Sequence, residues 1–209
     1  TAWCDQQGIR YFSSPAGIAN AVAEHVTGML LSLLHKIGLA NNQIREGHWV
    51  REANRGTELQ SLTLGIIGCG HTGQGLLQKL SVFTDKILIF DKYKTVNTNV
   101  NARQVSLAEL QQNADIISFH VPLNHETTYY YDDNFMKNMR KPHILINASR
   151  GKVAHTQTIL QGLASGKISG ACLDVLEEEA AIEQVLGQQN NIVQQLMQYN
   201  VVITPHIAG

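Results

Sequence analysis

Apolar positions along the chain recur with two different periods. Short runs rich in Ile, Val, Leu and Phe read as strands at residues 62–67, 87–90, 116–119, 144–147, 170–173 and 201–204. Between them, apolar residues spaced three or four apart predict helices at 73–83, 107–112, 132–139 and 156–165, and residues 182–199 carry the same period more weakly. The clearest helix precedes the first strand. Val22, Val26, Met29, Leu30, Leu33, Leu34 and Ile37 form one stripe, with Asn20 as the expected N-cap and Gly38 as the expected stop. Strands alternating with helices predict an α/β fold with a doubly wound parallel sheet. Residues 1–14 fit that alternation poorly. They read as a short helix end, a strand at 9–12 and then Pro15, expected to be the remnant of a second domain and a hinge over 1–15, with the main domain over 16–209.

Composition narrows the function classes. The 209 residues are 44% apolar and 16% charged, enough to bury a sizeable core. A net charge of −1 provides no electrostatic footprint for nucleic acid or an anionic membrane. Cys4, Cys69 and Cys172 lie far apart, which argues against a disulfide scaffold or zinc knuckle and fits a reducing, cytoplasmic setting. The most hydrophobic stretch, 26–34, is interrupted by Thr27, Gly28 and Ser32 and reads as too short to span a bilayer. No signal-peptide pattern and no HExxH or Cys/His ligand cluster is visible, so no metal is expected. A chain beginning with Thr is expected to be a piece of a longer protein.

Gly68-Cys69-Gly70-His71-Thr72-Gly73 supplies the first chemistry. A lone GxGxxG is weak, but this one follows a strand, opens a helix, and precedes a second strand ending in Asp91, 23 positions after Gly68. That is the context of a Rossmann-type dinucleotide site. The glycines let backbone N–H groups approach a pyrophosphate, which the helix N-terminus favours. Asp91 is placed to accept from ribose hydroxyls and repel a 2′-phosphate, favouring NAD over NADP, although Lys92 and Lys94 weaken that preference.

In an open parallel sheet, ligands bind beyond the carboxyl ends of the strands. Three such ends carry Arg150, Glu179 (five residues beyond Asp174) and His206. An arginine fork binds a carboxylate, a histidine exchanges a proton with a carbonyl oxygen, and a carboxylate orients the imidazole. Together they suit hydride transfer between nicotinamide and a 2-keto or 2-hydroxy acid. Each also has a plainer reading: Arg150-Gly151 as a surface turn, Glu177 to Glu179 as a solvated acidic run, and His206 as a strand cap.

Longer segments carry a resemblance. Residues 20–25 (NAVAEH), 64–70 (LGIIGCG), 120–123 (HVPL) with Glu126-Thr127, 146–151 (INASRG), 170–175 (GACLDV) and 204–209 (TPHIAG) run in order along almost the whole chain. In them the chain resembles the D-isomer-specific 2-hydroxyacid dehydrogenases. That resemblance implies that Arg150 binds the substrate carboxylate, His206 is the acid/base and Glu179 pairs with it. It implies that Gly68, Gly70, His71, Thr72 and Gly73 face the pyrophosphate of NAD, and Asp91 its ribose. Val121, Pro122 and Thr127 would lie along the adenosine half, with Ala148, Ser149 and Asp174 near the nicotinamide carboxamide.

The expected substrate is a small 2-keto or 2-hydroxy acid, foremost D-3-phosphoglycerate and its keto acid in serine synthesis. Glyoxylate, hydroxypyruvate or D-lactate-type substrates stand as alternatives, and an NAD-sensing corepressor as an alternative of another class. A homodimer through the cofactor domain is implied, involving the helix at 21–37 and the segment 45–59. Trp49 is a candidate anchor there, with a core tryptophan the default reading. Two positions depart from the family pattern, Ala180 where proline usually follows the glutamate, and Thr72 where an aliphatic residue is common. The family's substrate domain and a C-terminal segment have no counterpart here, so this piece alone is expected to bind NAD and turn over poorly. His25 is expected to pack rather than react, His120 to matter through its backbone, and His48, His125, His143 and His155 to be ordinary surface or packing residues.

Overall fold

A computed structural model describes residues 2–10, 12, 14–97, 99–185 and 191–209. Seven strands form one all-parallel sheet: β1 Leu64–Ile67, β2 Ile87–Phe90, β3 Ala102–Gln104, β4 Ile116–Phe119, β5 His143–Asn147, β6 Ile168–Leu173 and β7 Val201–Ile203. Their spatial order is β3-β2-β1-β4-β5-β6-β7, so the chain reverses direction of travel between β1 and β4. Alternation along each strand divides the core into two layers. Leu64, Ile66, Ile87, Ile89, Ile144 and Ile146 face one side, and Ile67, Leu88, Ile117, Phe119 and Leu145 the other. Burial on both sides explains why the strands are apolar runs without polar alternation.

Nine α-helices are present among the described residues: α1 Ala2–Gln6, α2 Pro15–Leu34, α3 Ile37–Arg45, α4 His71–Leu80, α5 Leu107–Asn113, α6 Asp133–Asn138, α7 Thr156–Ser165, α8 Glu179–Val185 and α9 Ile192–Leu196. Local chemistry sets several ends. The Ser106 hydroxyl accepts from the Glu109 N–H at the start of α5, Asp132 accepts from the Phe135 N–H before α6, and Gly166 ends α7 at φ +75°. α2 crosses α4 closely, where a Cβ on Gly75 would stand 3.1 Å from the Ala19 carbonyl.

The structure corrects several expectations at the N-terminal side. α2 starts at Pro15 behind Ser14, because proline suits the first helical turn, so Asn20 is interior and bonds Glu24 one turn on. Gly38 lies inside α3 instead of stopping a helix; the break is at Lys36, at φ +52°. The stretch 26–34 belongs to a 20-residue helix that is long and apolar enough over Ala16–Leu34 to cross a membrane by length and composition, yet its Val22, Val26, Leu30 and Leu33 stripe is buried on the sheet. Ile9, Arg10 and Phe12 are not in a strand, and Tyr11 lies outside the described residues. Within 182–199, α8 and α9 are formed, while 186–190 lie outside the description. β3 is an additional edge strand of three largely exposed residues, too short and polar to show in the apolar pattern.

α3 buries none of its residues, and Ile37, Leu39 and Ile44 are half-exposed on it. Trp49 beyond it is 85% exposed, so the core reading of that tryptophan is overturned.

Two imidazoles are sealed inside. His143 shares a hydrogen bond with the Tyr131 hydroxyl, and His120 with the Ser118 hydroxyl, each at 2.8 Å. Burial pushes both down to about 4 from the usual 6.5. As pH falls from about 6.5 towards 4, the unfolded chain takes up two protons that the folded chain refuses. Stability therefore declines across that window by about 3 kcal/mol per histidine, and the loss is complete below it. Urea midpoints measured at pH 7.5, 5.5 and 4.5 will show the decline. His143→Gln, which keeps a polar partner for Tyr131 but does not titrate, will remove about half of it, leaving the share of His120; an unchanged slope would refute the assignment.

Candidate active site

β1 ends in a turn that only glycine permits. Gly68 has φ +84°, and a Cβ there would meet the His120 carbonyl at 2.6 Å. Gly73, one turn into α4, stands so near Gly68 that a Cβ would reach its carbonyl oxygen at 2.2 Å. Gly73 lines neither cavity described below, so its contribution is to let α4 close on β1. Around Gly70 a Cβ would meet nothing within 4 Å. That open space faces the groove, leaving room for a phosphate at the N-terminus of α4. His71 and Thr72 begin that helix. The Cys69 thiol is buried and pushed up to about 11 by burial and then by Asp91, so it is inert at neutral pH.

Asp91 binds the loop from the next strand. Its Oδ2 accepts from the Cys69 N–H at 2.9 Å, and its Oδ1 from the N–H groups of Tyr93 and Lys94. Burial alone would raise this carboxyl, but the three backbone donors outweigh it and hold it below the usual range. Oδ2, with a single donor, retains a lone pair for a ribose hydroxyl, whereas Oδ1 is filled by its two backbone donors.

Two cavities lie along the carboxyl edge of the sheet at the β1/β4 reversal. The first, about 380 Å³, is lined by Gly68, Gly70, Asp91, Val121, Pro122 and Thr127, among others. The second, about 470 Å³, is lined by Gly70, His71, Thr72, Val121, Pro122, Ala148, Ser149, Arg150, Asp174 and His206. Gly70, His120, Val121 and Pro122 belong to both, so the two form one groove of a size suited to a dinucleotide. Thr127 faces the groove with its hydroxyl already engaged, donating to the Pro122 carbonyl at 2.5 Å. It shapes the loop and has no proton left to offer a ligand.

The buried Asn147 at the end of β5 builds the turn that presents Arg150. Its Oδ1 accepts from the Ser149 N–H and hydroxyl, and its Nδ2 donates to the Arg150 carbonyl. Gly151 follows because a Cβ there would lie 1.9 Å from the Leu176 carbonyl. This contact locks the Arg150 turn against the segment leading to Glu179. The exposed guanidinium donates to the Ser149 carbonyl and borders the groove.

Asp174, 2% exposed, ends the extension of β6 and gathers the last turn of the chain. Its carboxylate accepts from the Thr204 hydroxyl at 2.6 Å and from the N–H groups of Ile207 and Ala208 at 3.0 Å. Its backbone carbonyl accepts from the His206 N–H. The His25 Nε2 of α2 donates to Thr204 Oγ1 at 2.9 Å and lies 3.5 Å from Asp174. Asp174 thus holds the His206 turn, a role that the carboxamide expectation did not include.

His206 sits at φ +56°, an uncommon conformation for a residue with a side chain. Its Nδ1 is 2.8 Å from Glu179 Oε2, both side chains about two-fifths exposed. With Nδ1–H donating to the carboxylate, Nε2 is free to face the groove. Arg150 and His206 border the same cavity, while Glu179 lies behind the imidazole and lines neither cavity. Asn147, Thr204, His25, Asn124 and Glu126 are site residues that sequence reasoning missed.

Comparison with known proteins adds a family. Residues 27–208 match the model described as D-isomer specific 2-hydroxyacid dehydrogenase, NAD binding domain. A glyoxylate reductase of Thermofilum pendens is 33% identical over 98% of this chain and 60% of its own length. A D-3-phosphoglycerate dehydrogenase of Bacillus subtilis is 32% identical over 98% of the chain and 38% of its own. The structure of D-lactate dehydrogenase from Aquifex aeolicus, complexed with NAD and lactic acid, superposes with a TM-score of 0.84 at 30% identity, over 99% of this chain and 65% of that one. The chain spans about three-fifths of the length of such relatives, and less of the Bacillus protein.

Proposed function

Since the chain belongs to the D-isomer-specific 2-hydroxyacid dehydrogenase family, as its NAD-binding domain, we propose that the protein carrying it reduces a small 2-keto acid to the D-2-hydroxy acid, and catalyses the reverse. One observation carries the reading: Arg150 and a Glu179-held His206 border the cavity continuous with the glycine loop. The glycine loop and Asp91 would hold NADH, which would supply the hydride for the carbonyl carbon. Arg150 pairs with the substrate carboxylate, fixing which face of the carbonyl is presented. His206 donates a proton from Nε2 to the carbonyl oxygen, and Glu179 keeps the ring aligned and balances its positive charge. In the oxidative direction the same nitrogen takes the hydroxyl proton.

Within this class, D-3-phosphoglycerate and 3-phosphohydroxypyruvate are the first substrate pair to test. A second reading, glyoxylate or hydroxypyruvate reduction, is supported by the likeness to the glyoxylate reductase of Thermofilum pendens, 33% identical over 98% of this chain. A homodimer through the cofactor domain, with the helix at 21–37 and the segment 45–59 at its interface, belongs to the same proposal, supported by the exposed apolar surface of Ile37, Trp49 and Val50 there.

The test follows NADH absorbance with 3-phosphohydroxypyruvate, hydroxypyruvate, glyoxylate and pyruvate in parallel. At least one is expected to be turned over, with kcat/KM falling by about 10² or more in Arg150→Ala. The preferred acid decides the substrate. Silence with all four, despite NADH binding, would favour the corepressor-like reading.

A further inference from the structure

The sequence Asp91-Lys92-Tyr93-Lys94 sets two ammonium groups against one carboxylate at the adenosine end of the groove. That local balance weakens the exclusion of a ribose phosphate by Asp91. The fold changes it by bringing in Glu126 from the loop after β4. Lys92 Nζ lies 2.8 Å from Glu126 Oε1, and the Tyr93 hydroxyl donates to Glu126 Oε2. All five of these side chains line the first cavity, and the Lys92–Glu126 pair joins one wall to the other. The rim thus carries two positive and two negative charges.

Glu126 is fixed from below. Asn124 Oδ1 accepts from the N–H groups of Glu126 and Thr127, closing a tight turn that Thr127 ties back to Pro122. Lys94 has no ion pair among the described residues, so Lys92 is the cation whose availability depends on Glu126. Its ammonium is raised by the hydrogen bond to Glu126, and the carboxyl of Glu126 is lowered by Lys92 and then Tyr93.

We propose that Glu126 determines cofactor specificity: by engaging Lys92 and Tyr93 across the mouth of the adenosine pocket, it denies a 2′-phosphate its counter-ion and sets a second carboxylate beside Asp91 against it. The cofactor admitted is the one with a free 2′-hydroxyl. This rests on the reading that the groove holds a nicotinamide dinucleotide. Asp91 alone would be opposed by two lysines; Asp91 with Glu126 cancels them. A freed ammonium about 4 Å from a phosphate dianion in a solvent-exposed site is worth about a factor of ten or more in affinity. Because the groups are exposed, the effect diminishes with salt.

The experiment is a fluorescence titration of NADH and NADPH into the protein that carries this chain, as wild type, Glu126→Gln and the double variant Lys92→Met/Glu126→Gln. Glutamine keeps an acceptor for Tyr93 while removing the charge, and the site is on the surface, so folding is retained. In Glu126→Gln the NADPH-to-NADH Kd ratio is expected to fall about tenfold at low ionic strength, and less in 0.5 M salt. In the double variant the ratio returns to the wild-type value or above. A ratio changing less than twofold in Glu126→Gln overturns the proposal, as does a gain that survives loss of Lys92. Wild-type protein that binds neither nucleotide would instead overturn the dinucleotide reading itself, and this proposal with it.

Discussion

In the protein that carries this chain, the proposed 2-keto acid reduction is expected to lose about 10² to 10⁴ in kcat/KM when His206 is replaced by alanine, the range ordinarily lost with a positioned general acid. The loss falls mainly on kcat, because the carboxylate grip of Arg150 is untouched, and NADH affinity changes little. The imidazole is held at one nitrogen by Glu179 Oε2 at 2.8 Å, and its backbone is set by N–H donation to the carbonyls of Asp174 and Thr204. Glu179→Gln retains an acceptor for the ring but no charge to balance it, so its loss is smaller, about tenfold to a hundredfold. Steady-state rates with saturating NADH check both. Retention of more than a tenth of the activity in His206→Ala would remove this residue from the proton-transfer role.

The largest stability effect is expected at Asp174. Alanine there strands the N–H groups of Ile207 and Ala208, the Thr204 hydroxyl and, behind it, His25, in a site 2% exposed. Removing the acceptor from such a buried set costs about 3–5 kcal/mol. For a chain of this size, Tm falls by about 10 °C or more. Asp174→Asn keeps one oxygen but turns an N–H₂ towards a backbone donor, and loses roughly half as much. Thermal unfolding followed by circular dichroism reads both, and a fall below 3 °C in Asp174→Ala would show that the turn holds without its carboxylate. Because His206 belongs to that turn, activity declines in the same variants before the fold does.

What could be read from the sequence and what could not divide along physical lines. Every strand but the polar edge strand β3 was legible because burial on both faces makes them apolar runs, and the glycine loop because Gly68 and Gly73 are fixed by backbone clearance. Arg150 and His206 were legible because strand ends in a parallel sheet share an edge. Contacts formed by polar groups distant in sequence were not. Nothing in the residue pattern says that Asp174 collects the Thr204–Ala208 turn, or that Glu126 answers Lys92 across 34 positions. Trp49 shows the same limit from the other side. An isolated tryptophan defaults to the core on hydrophobicity alone, and only the packing of α3 reveals that no core reaches it.

Strand order also fixes the order in which the groove emerges from the ribosome. β2 pairs with β1 on one side and β3 on the other, and all three are synthesised by Gln104, along with the glycine loop and Asp91. The opposite edge of β1 waits for β4 at Ile116–Phe119, and the groups facing the substrate come last, ending at His206. At ordinary rates of synthesis, the hundred residues between Gln104 and His206 take about 5–20 s. For that interval the nascent chain carries the glycine loop and Asp91 first without the Val121, Pro122 and Thr127 wall that follows β4, and then without His206, so the adenosine pocket is completed before the acid–base end of the groove.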